Sequence, residues 1–401
     1  MKDFTDLGKR IGAYESDMVK TMSEMIPIKA VSPMSGGEGE GKRADFLEKL
    51  LKGWGFQTKR YEYADSSGTK RPSIVTVFGD CKSTIWVIGH IDTVSEGDRK
   101  LWKTDPFKVH VENGRMYGRG TNDNGQAVIS SLYALRVLKE SGAKLKYNLG
   151  LVLAADEEIG SIYGMEKLMD EGIFKQGDMF IVPDSGSEQG DKIEIGEKGL
   201  LWLKVTVIGK QVHASTPELG KNAYRYAINF IKEVDEHLHK KYSARNKLFD
   251  PEESTFEMTK HEKNVDSTNI IPGTDVSYID CRVLPEYALD DVVADVNAIA
   301  KSSMFKDVRI EVEPIVKQDS APLTSEDAEI VKLMKTALKD LRNLDAKMIG
   351  IGGGTVAAFP RRKGIPAVVW ETYDEVAHQP NEYSKIADMM NDAKILAYIF
   401  L

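Results

Sequence analysis

Four apolar runs in this sequence end in residues for which a buried strand has no packing use. VIGHIDTV (87–94) stops at His90 with Asp92 two places on, and YNLGLVLAADEE (147–158) closes on Asp156, Glu157 and Glu158. DMFIVPDSG (178–186) reaches Asp184, and AVVWETYDEVAHQP (367–380) gives way to His378. Asp123 stands in the glycine-rich stretch YGRGTNDNGQ (117–126), in the turn before a helix-like segment. Singly, each has a plain structural reading: a histidine after a strand is commonly a surface or satisfied core residue, and strand-end carboxylates cap the next helix. Together, two imidazoles and three carboxylates make a donor set for zinc, cobalt or manganese, and five donors exceed what one tetrahedral ion with an open position takes. Two metal ions sharing a carboxylate fit that count. Asp92 then lies behind His90, accepting the hydrogen bond of the second ring nitrogen and fixing its tautomer.

Such a site requires elements that bring these ends to one edge. The sequence predicts helices over the amphipathic opening segment, over 43–56 and over 126–142, and strands over 73–79, 84–90, 147–158 and 178–186. Near-continuous apolar runs separated by helices indicate an α/β fold with a mixed, largely parallel sheet flanked by helices. Ligands bind such sheets at the carboxyl ends of the strands, where His90 and its companions stand. Near residue 194 the pattern changes to longer alternating strands (200–210, 274–284, 307–316) and two helices (221–242, 290–304), which suits an inserted α+β, ferredoxin-like domain. From about 317 the first style returns, with a helix over 327–341 and a strand over 365–372. The expected division is therefore 1–193 and 317–401 as a catalytic domain, and 194–316 as a lid and dimerisation domain. The polar stretch 245–264 reads as a mobile loop.

Composition narrows the function. Two domains suit 401 residues, and 41% hydrophobic with 29% charged residues is the balance of a soluble globular chain. No apolar stretch approaches the roughly 20 residues of a membrane helix, so no membrane partner is expected. The polar opening MKDFTDLGKRIGAYESDMVK lacks the apolar core of a secretory signal, which predicts a cytoplasmic protein. Cys81 and Cys281 are too few for a disulfide framework and are expected to be reduced. The net charge of -8 comes from interspersed charges and offers no basic footprint for nucleic acid. GIGGGT (350–355) lacks the full dinucleotide fingerprint, and a structural zinc site favours cysteine-rich tetrahedra that this chain does not have.

The motifs GHIDTV, YGRGTND, ADEEIGS, VPD, GKQVHASTPELGKNA, NIIPG, DCR, GGGT and AHQPNE, in this order, resemble those of the co-catalytic zinc metallopeptidase family. That family includes succinyl-diaminopimelate desuccinylase, acetylornithine deacetylase, aminoacylase, carboxypeptidase G and several dipeptidases, and the resemblance covers nearly the whole chain. It implies two zinc ions per chain, replaceable by cobalt or manganese, with Asp123 bridging them. Glu158 and His378 would complete one metal position, and His90 and Asp184 the other. Glu157 resembles the general base that takes a proton from the attacking water, since a carboxylate not bound to metal keeps its basicity. The resemblance further implies a cis peptide at Asp123–Asn124. His213 is similar to a lid histidine that reaches the partner subunit's active site in a homodimer and polarises the scissile carbonyl. Asn269 and Arg282 resemble substrate-binding residues, Arg282 offering a fork to a substrate carboxylate, and Gly353, Gly354 and Thr355 resemble the loop that holds it.

The implied reaction is hydrolysis of an amide bond in a small N-acyl amino acid or dipeptide with a free carboxylate. Two departures from the family pattern bear on the substrate. Where many relatives have Asp-Asp-Lys-Gly, this chain has Asp123-Asn124-Gly125-Gln126, so any role of that lysine is absent. Desuccinylases and deacetylases usually carry glutamate where Asp184 stands, whereas the family's dipeptidases and aminopeptidases often carry aspartate. The general motif style points to the deacylases, so both substrate classes stay open. A non-catalytic relative that binds metal or ligand is the rival from another class, and the intact Glu157 argues against it.

Overall fold

The computed structural model describes residues 2–401, with side chains from Asp6 onward. Contacts divide the chain into two compact units. The first runs to Ile195 and resumes over Leu323–Met348 and Thr355–Leu401; the second comprises Gly196–Pro322 and Ile349–Gly354.

The first unit is built on a sheet whose strands we number with those of the second in chain order. They are β1 (Lys59–Ala64), β2 (Lys70–Phe78), β3 (Thr84–His90), β4 (Asn148–Ala154), β5 (Met179–Ser187), β6 (Lys192–Glu197), β7 (Gly199–Ile208), β8 (Thr255–His261), β9 (Thr274–Val283), β10 (Arg309–Gln318), β11 (Lys347–Ile351) and β12 (Ala367–Thr372). The large sheet has the order β1-β2-β4-β3-β5-β12-β6-β11. Its centre, β4-β3-β5-β12, is parallel, while β1, β2 and β6 pair antiparallel. The sheet is thus α/β and mixed, with its parallel portion in the middle. Every residue of β3 is buried, which explains why it reads as an unbroken apolar run rather than an alternating one. One face of the sheet lies against the helix Ala127–Ser141, which is buried along most of its length and packs on the helix Ile386–Ile399. On the other face, Trp86 lies flat over Gly150, where a Cβ would come within 2.3 Å of the indole.

Parallel pairing fixes where the strand ends fall. His90 pairs with Ala154, so Asp156, Glu157 and Glu158 emerge from β4 just beyond the level at which β3 ends. β12 and β5 lose register between Val369 and Glu371, and residues 183–185 occupy the irregularity. Such a bulge re-aims side chains, and here it carries Asp184.

The second unit is a four-stranded antiparallel sheet of order β8-β9-β7-β10, with the helices Ala223–Lys241 and Leu289–Ala300 sharing one core with it. Leu201, Leu203, Val205 and Val207 alternate inward on β7 and meet Phe230, Val234, Val292 and Val296 from the helices. Two sequence expectations change here. Residues 245–264 do not form a mobile loop throughout: Thr255–His261 is a strand paired with β9. Phe256 is its one fully buried apolar anchor, too weak a periodic signal among charged neighbours to be read beforehand. The segment LLWLKVTVIGK, whose alternation by itself reads as an edge that a partner could cover, is instead the inner strand β7; the edges are β8 and β10.

Candidate metal centre

The five predicted donors are brought together in the first unit. Asp123 lies at the centre of them. Its Oδ1 is 2.7 Å from His90 Nε2 and its Oδ2 is 3.0 Å from His378 Nε2. His90 Nε2 is also 3.3 Å from Asp184 Oδ1, and His378 Nε2 is 3.1 Å from Glu158 Oε2. Two groups of three donors, His90 with Asp123 and Glu158, and His90 with Glu157 and Asp184, have ligand atoms within 4.8 Å of one another.

The parts that hold these donors are buried and largely polar. His90 Nδ1 faces the Asp92 backbone carbonyl at 3.2 Å and the Asp92 carboxylate at 3.5 Å. That carboxylate also accepts the N–H groups of Glu157 and Glu158, at 3.1 and 3.2 Å, so one side chain orients a donor imidazole and the turn of the glutamate pair. Asp156 opens this turn in the left-handed region, at φ 68°, which aspartate tolerates better than most residues. Its carboxylate meets Arg71 at 2.5 Å, and Arg71 in turn holds Glu40 at 2.7 Å, all of them buried. The Asp123–Asn124 peptide is cis. The loop around it folds onto Glu382, whose Oε1 accepts N–H bonds from Gly120, Asn122 and Asp123 at 2.9 to 3.0 Å, while Arg119 pairs with Oε2 at 2.6 Å.

Electrostatics follow from the crowding of carboxylates. Burial pushes Glu157 well above the usual carboxylate range, and nearby Asp184 adds to the effect. Burial raises Glu158 and Asp184 as well. Burial opposes the charge on Asp123, yet the imidazoles of His378 and His90 hold its carboxyl below the usual range. Hydrogen bonds that its ring donates to Asp123 and Glu158 push His378 up to about 10, and the carboxylates around His90 raise it despite burial. The imidazole nitrogens therefore stand within 3.3 Å of the carboxylate oxygens that a divalent cation would share with them, and the donor set fits such an ion.

Glu157 and Glu158 differ in tethering. Glu158 is fixed at both oxygens, Oε1 taking the Val94 N–H at 3.1 Å and Oε2 facing His378. Among the described residues, the Glu157 carboxyl takes no such bond.

In the second unit, His213 is exposed and pairs in a short ladder with Ile270, next to Asn269, whose carbonyl accepts the Ala214 N–H. His213 Nδ1 accepts the Ser215 N–H at 3.2 Å, which leaves Nε2 carrying the ring proton. Arg282 is engaged by its neighbours: Nε and Nη2 bond Asp280 at 2.7 and 3.1 Å, and Nη1 bonds the Gly352 carbonyl at 2.8 Å, beside Gly353 and Gly354. Thr355 Oγ1 caps the Ala357 N–H in the first unit.

The family model described as Peptidase family M20/M25/M40 matches residues 86–401, the span that contains every one of these donors. The chain belongs to this family. An uncharacterized metallohydrolase of Methanocaldococcus jannaschii is 42% identical over 400 residues, covering 94% of this chain and 97% of the relative. Succinyl-diaminopimelate desuccinylase of Rickettsia bellii is 26% identical, covering 92% of each. A tripeptidase from Staphylococcus aureus shares the fold at 20% identity, with a TM-score of 0.77 over 96% of this chain and 97% of that one. This M20 protein is thus a metal-dependent hydrolase with a candidate metal site of histidines and carboxylates.

Sequence reading missed several residues that shape the M20 site. Glu382 lay within a quoted motif, AHQPNE, and could have been suspected as the acceptor for a nearby loop. Arg71 and Glu40 carry no local signal, because their burial depends on strands distant in sequence. Glu371 is buried with neither carboxyl oxygen hydrogen-bonded, and burial, with Asp392 and Asp184 nearby, raises it well above the usual range.

Proposed function

We propose that this enzyme is a di-zinc amidohydrolase acting on a small substrate with a free carboxylate, an N-acyl-amino-acid deacylase of the succinyl-diaminopimelate desuccinylase and acetylornithine deacetylase type. Cobalt or manganese would serve as substitutes. The observation that carries this reading is Asp123 shared between two imidazoles, with the untethered carboxyl of Glu157 alongside. His90, Asp123 and Asp184 would hold one ion, and Asp123, Glu158 and His378 the other. When bound, the metal pair supplies Lewis-acid polarisation of the scissile carbonyl and a more acidic attacking water.

Glu157 takes the proton of that water and returns it to the leaving amine, a role supported by its freedom and its raised basicity. Asp92 keeps His90 in one tautomer and holds the backbone of Glu157 in place. His213, with its proton on Nε2, donates to the developing oxyanion. Asn269, Gly353, Gly354 and Thr355 bind substrate, and Arg282 exchanges its Asp280 contact for the substrate carboxylate.

The chain acts as a homodimer in which the second unit supplies the interface. The reading is supported by edge strand β8 and the adjoining face of the helix Ala223–Lys241, where Tyr224 and Ile228 are exposed. A reducing, cytoplasmic setting agrees with the free thiols of Cys81 and Cys281. Asp184 favours a second reading, a dipeptidase or aminopeptidase of the same family. Metal-stripped and zinc-reloaded protein assayed against N-succinyl and N-acetyl amino acids and against dipeptides decides between them. Zinc-dependent release of the acyl group supports the deacylase, zinc-dependent cleavage of dipeptides alone replaces it, and turnover unaffected by stripping overturns both.

A further inference from the structure

Asn124 follows the shared aspartate and is almost fully buried, yet every hydrogen-bonding group of its amide is used. Its Oδ1 accepts the His90 N–H at 3.2 Å. Its Nδ2 donates to the Pro183 carbonyl at 2.6 Å and to Asp184 Oδ1 at 3.0 Å. That same Asp184 oxygen lies 3.3 Å from His90 Nε2. One side chain therefore ties together the loop of Asp123, the end of β3 and the bulge of β5, the three places that supply His90, Asp123 and Asp184. Among the described residues its side chain makes no hydrogen bond with His378 or Glu158, which are held instead by Asp123 and by the Val94 N–H.

The chemistry of the position is specific. Two acceptors, a backbone carbonyl and a carboxylate oxygen, face it together with one donor, the His90 N–H, and a primary amide satisfies all three at once. An ionised carboxylate of the same shape could take the His90 N–H but has no hydrogen for Pro183 or Asp184. An apolar side chain would take this partner from all three buried groups, leaving Asp184 Oδ1 with His90 Nε2 alone.

We propose that Asn124 is a positioning residue for one half of the metal centre, setting the affinity of the His90–Asp123–Asp184 position directly and reaching the His378–Glu158 position only through the shared Asp123. The inference rests on the ligand assignment of the preceding section. Groups that orient metal ligands typically change metal affinity 10- to 100-fold when removed, which sets the size of the effect expected.

Zinc titrations against a chromophoric chelator test this in two backgrounds. H378A leaves the His90 half to be read, and D184A leaves the other. N124L, close to asparagine in shape, is expected to weaken zinc binding by about 10- to 100-fold in the H378A background and by clearly less in the D184A background. If N124L fails to fold, N124S takes its place with the same expected pattern. Equal weakening in both backgrounds would reduce Asn124 to a general structural role, and no weakening in either would remove it from the site; each overturns the proposal. Failure of the ligand assignment itself looks different, because H378A and D184A alone would then bind zinc as the wild type does.

Discussion

Asp123 and His378 meet at 3.0 Å through Asp123 Oδ2, on the opposite side of the carboxylate from the oxygen that faces His90 at 2.7 Å. A carboxylate split in this way couples the two imidazoles. D123A is therefore expected to lower zinc content at both positions together, whereas D184A or H378A alone should lower it at one. Elemental analysis after gel filtration checks this, and a D123A protein that retained one full equivalent would show that the halves are independent.

Replacing Glu157 by Gln is expected to reduce turnover by roughly 100- to 10,000-fold with zinc still bound, the usual contribution of a general base. Glu158→Ala should instead weaken metal occupancy. Steady-state kinetics combined with metal content separates the two; near-normal turnover in E157Q would reverse the assignment of the glutamates.

A divalent cation that bound here would have to displace protons from the metal-free site. His378 is raised to about 10 by Asp123 and Glu158, so its imidazole is protonated at pH 7. Zinc binding at pH 7 is expected to release protons, seen as a calorimetric heat that varies with the ionisation enthalpy of the buffer. The sign for stability runs the same way. A histidine raised on folding stabilises the metal-free protein fully below its ordinary value near 6.5 and loses that contribution as pH rises through about 10. The stability gap between wild type and H378Q should thus be widest at low pH and close toward pH 10. A gap that widened with pH would refute the pairing.

Glu371 offers a gain rather than a loss. Its carboxyl is buried without a hydrogen bond, so E371M should stabilise the metal-free protein by about 1–3 kcal/mol, the cost of leaving such a group unsatisfied. Because folding raises this carboxyl, the unfolded chain ionises first, and the advantage of E371M should grow as pH rises above the ordinary carboxylate range. Urea denaturation at two pH values measures it; a less stable E371M would mean that Glu371 has a favourable role in the core.

The role of His213 is open to complementation. Mixed dimers of H213A and E157Q chains should regain part of the activity that each homodimer lacks, because one site then combines an intact base with an intact partner histidine. No recovery, with subunit exchange demonstrated, would remove the functional basis of the dimer.

The parallel strands, and the cluster of candidate donors that gathers at their ends, were legible because both signals are local: unbroken apolar runs, each followed by a residue that packing does not call for. β3 and its terminal His90 illustrate the point, since seven consecutive buried residues announce the strand and the histidine breaks it. The positions of Asp92 and Asp123 followed from adjacency to such signals. What escaped was carried by long-range pairing. β8 has charged residues on its exposed face and a single fully buried side chain, so only its hydrogen bonds to β9 make it a strand. β7 alternates as an edge strand would, and its inner place depends on β10, more than a hundred residues on. Arg71 and Glu40 are ordinary surface types until folding buries both.

The loop that presents Asp123 is folded around Glu382, 259 positions later in the chain, and receives from it the acceptor for three of its N–H groups. During synthesis the ribosome delivers Asp123, His90 and the glutamate pair long before it delivers that acceptor. A nascent chain therefore carries most of these candidate donors before the residue that shapes the Asp123 loop, and that loop reaches its final form only when the segment bearing Glu382 docks on it.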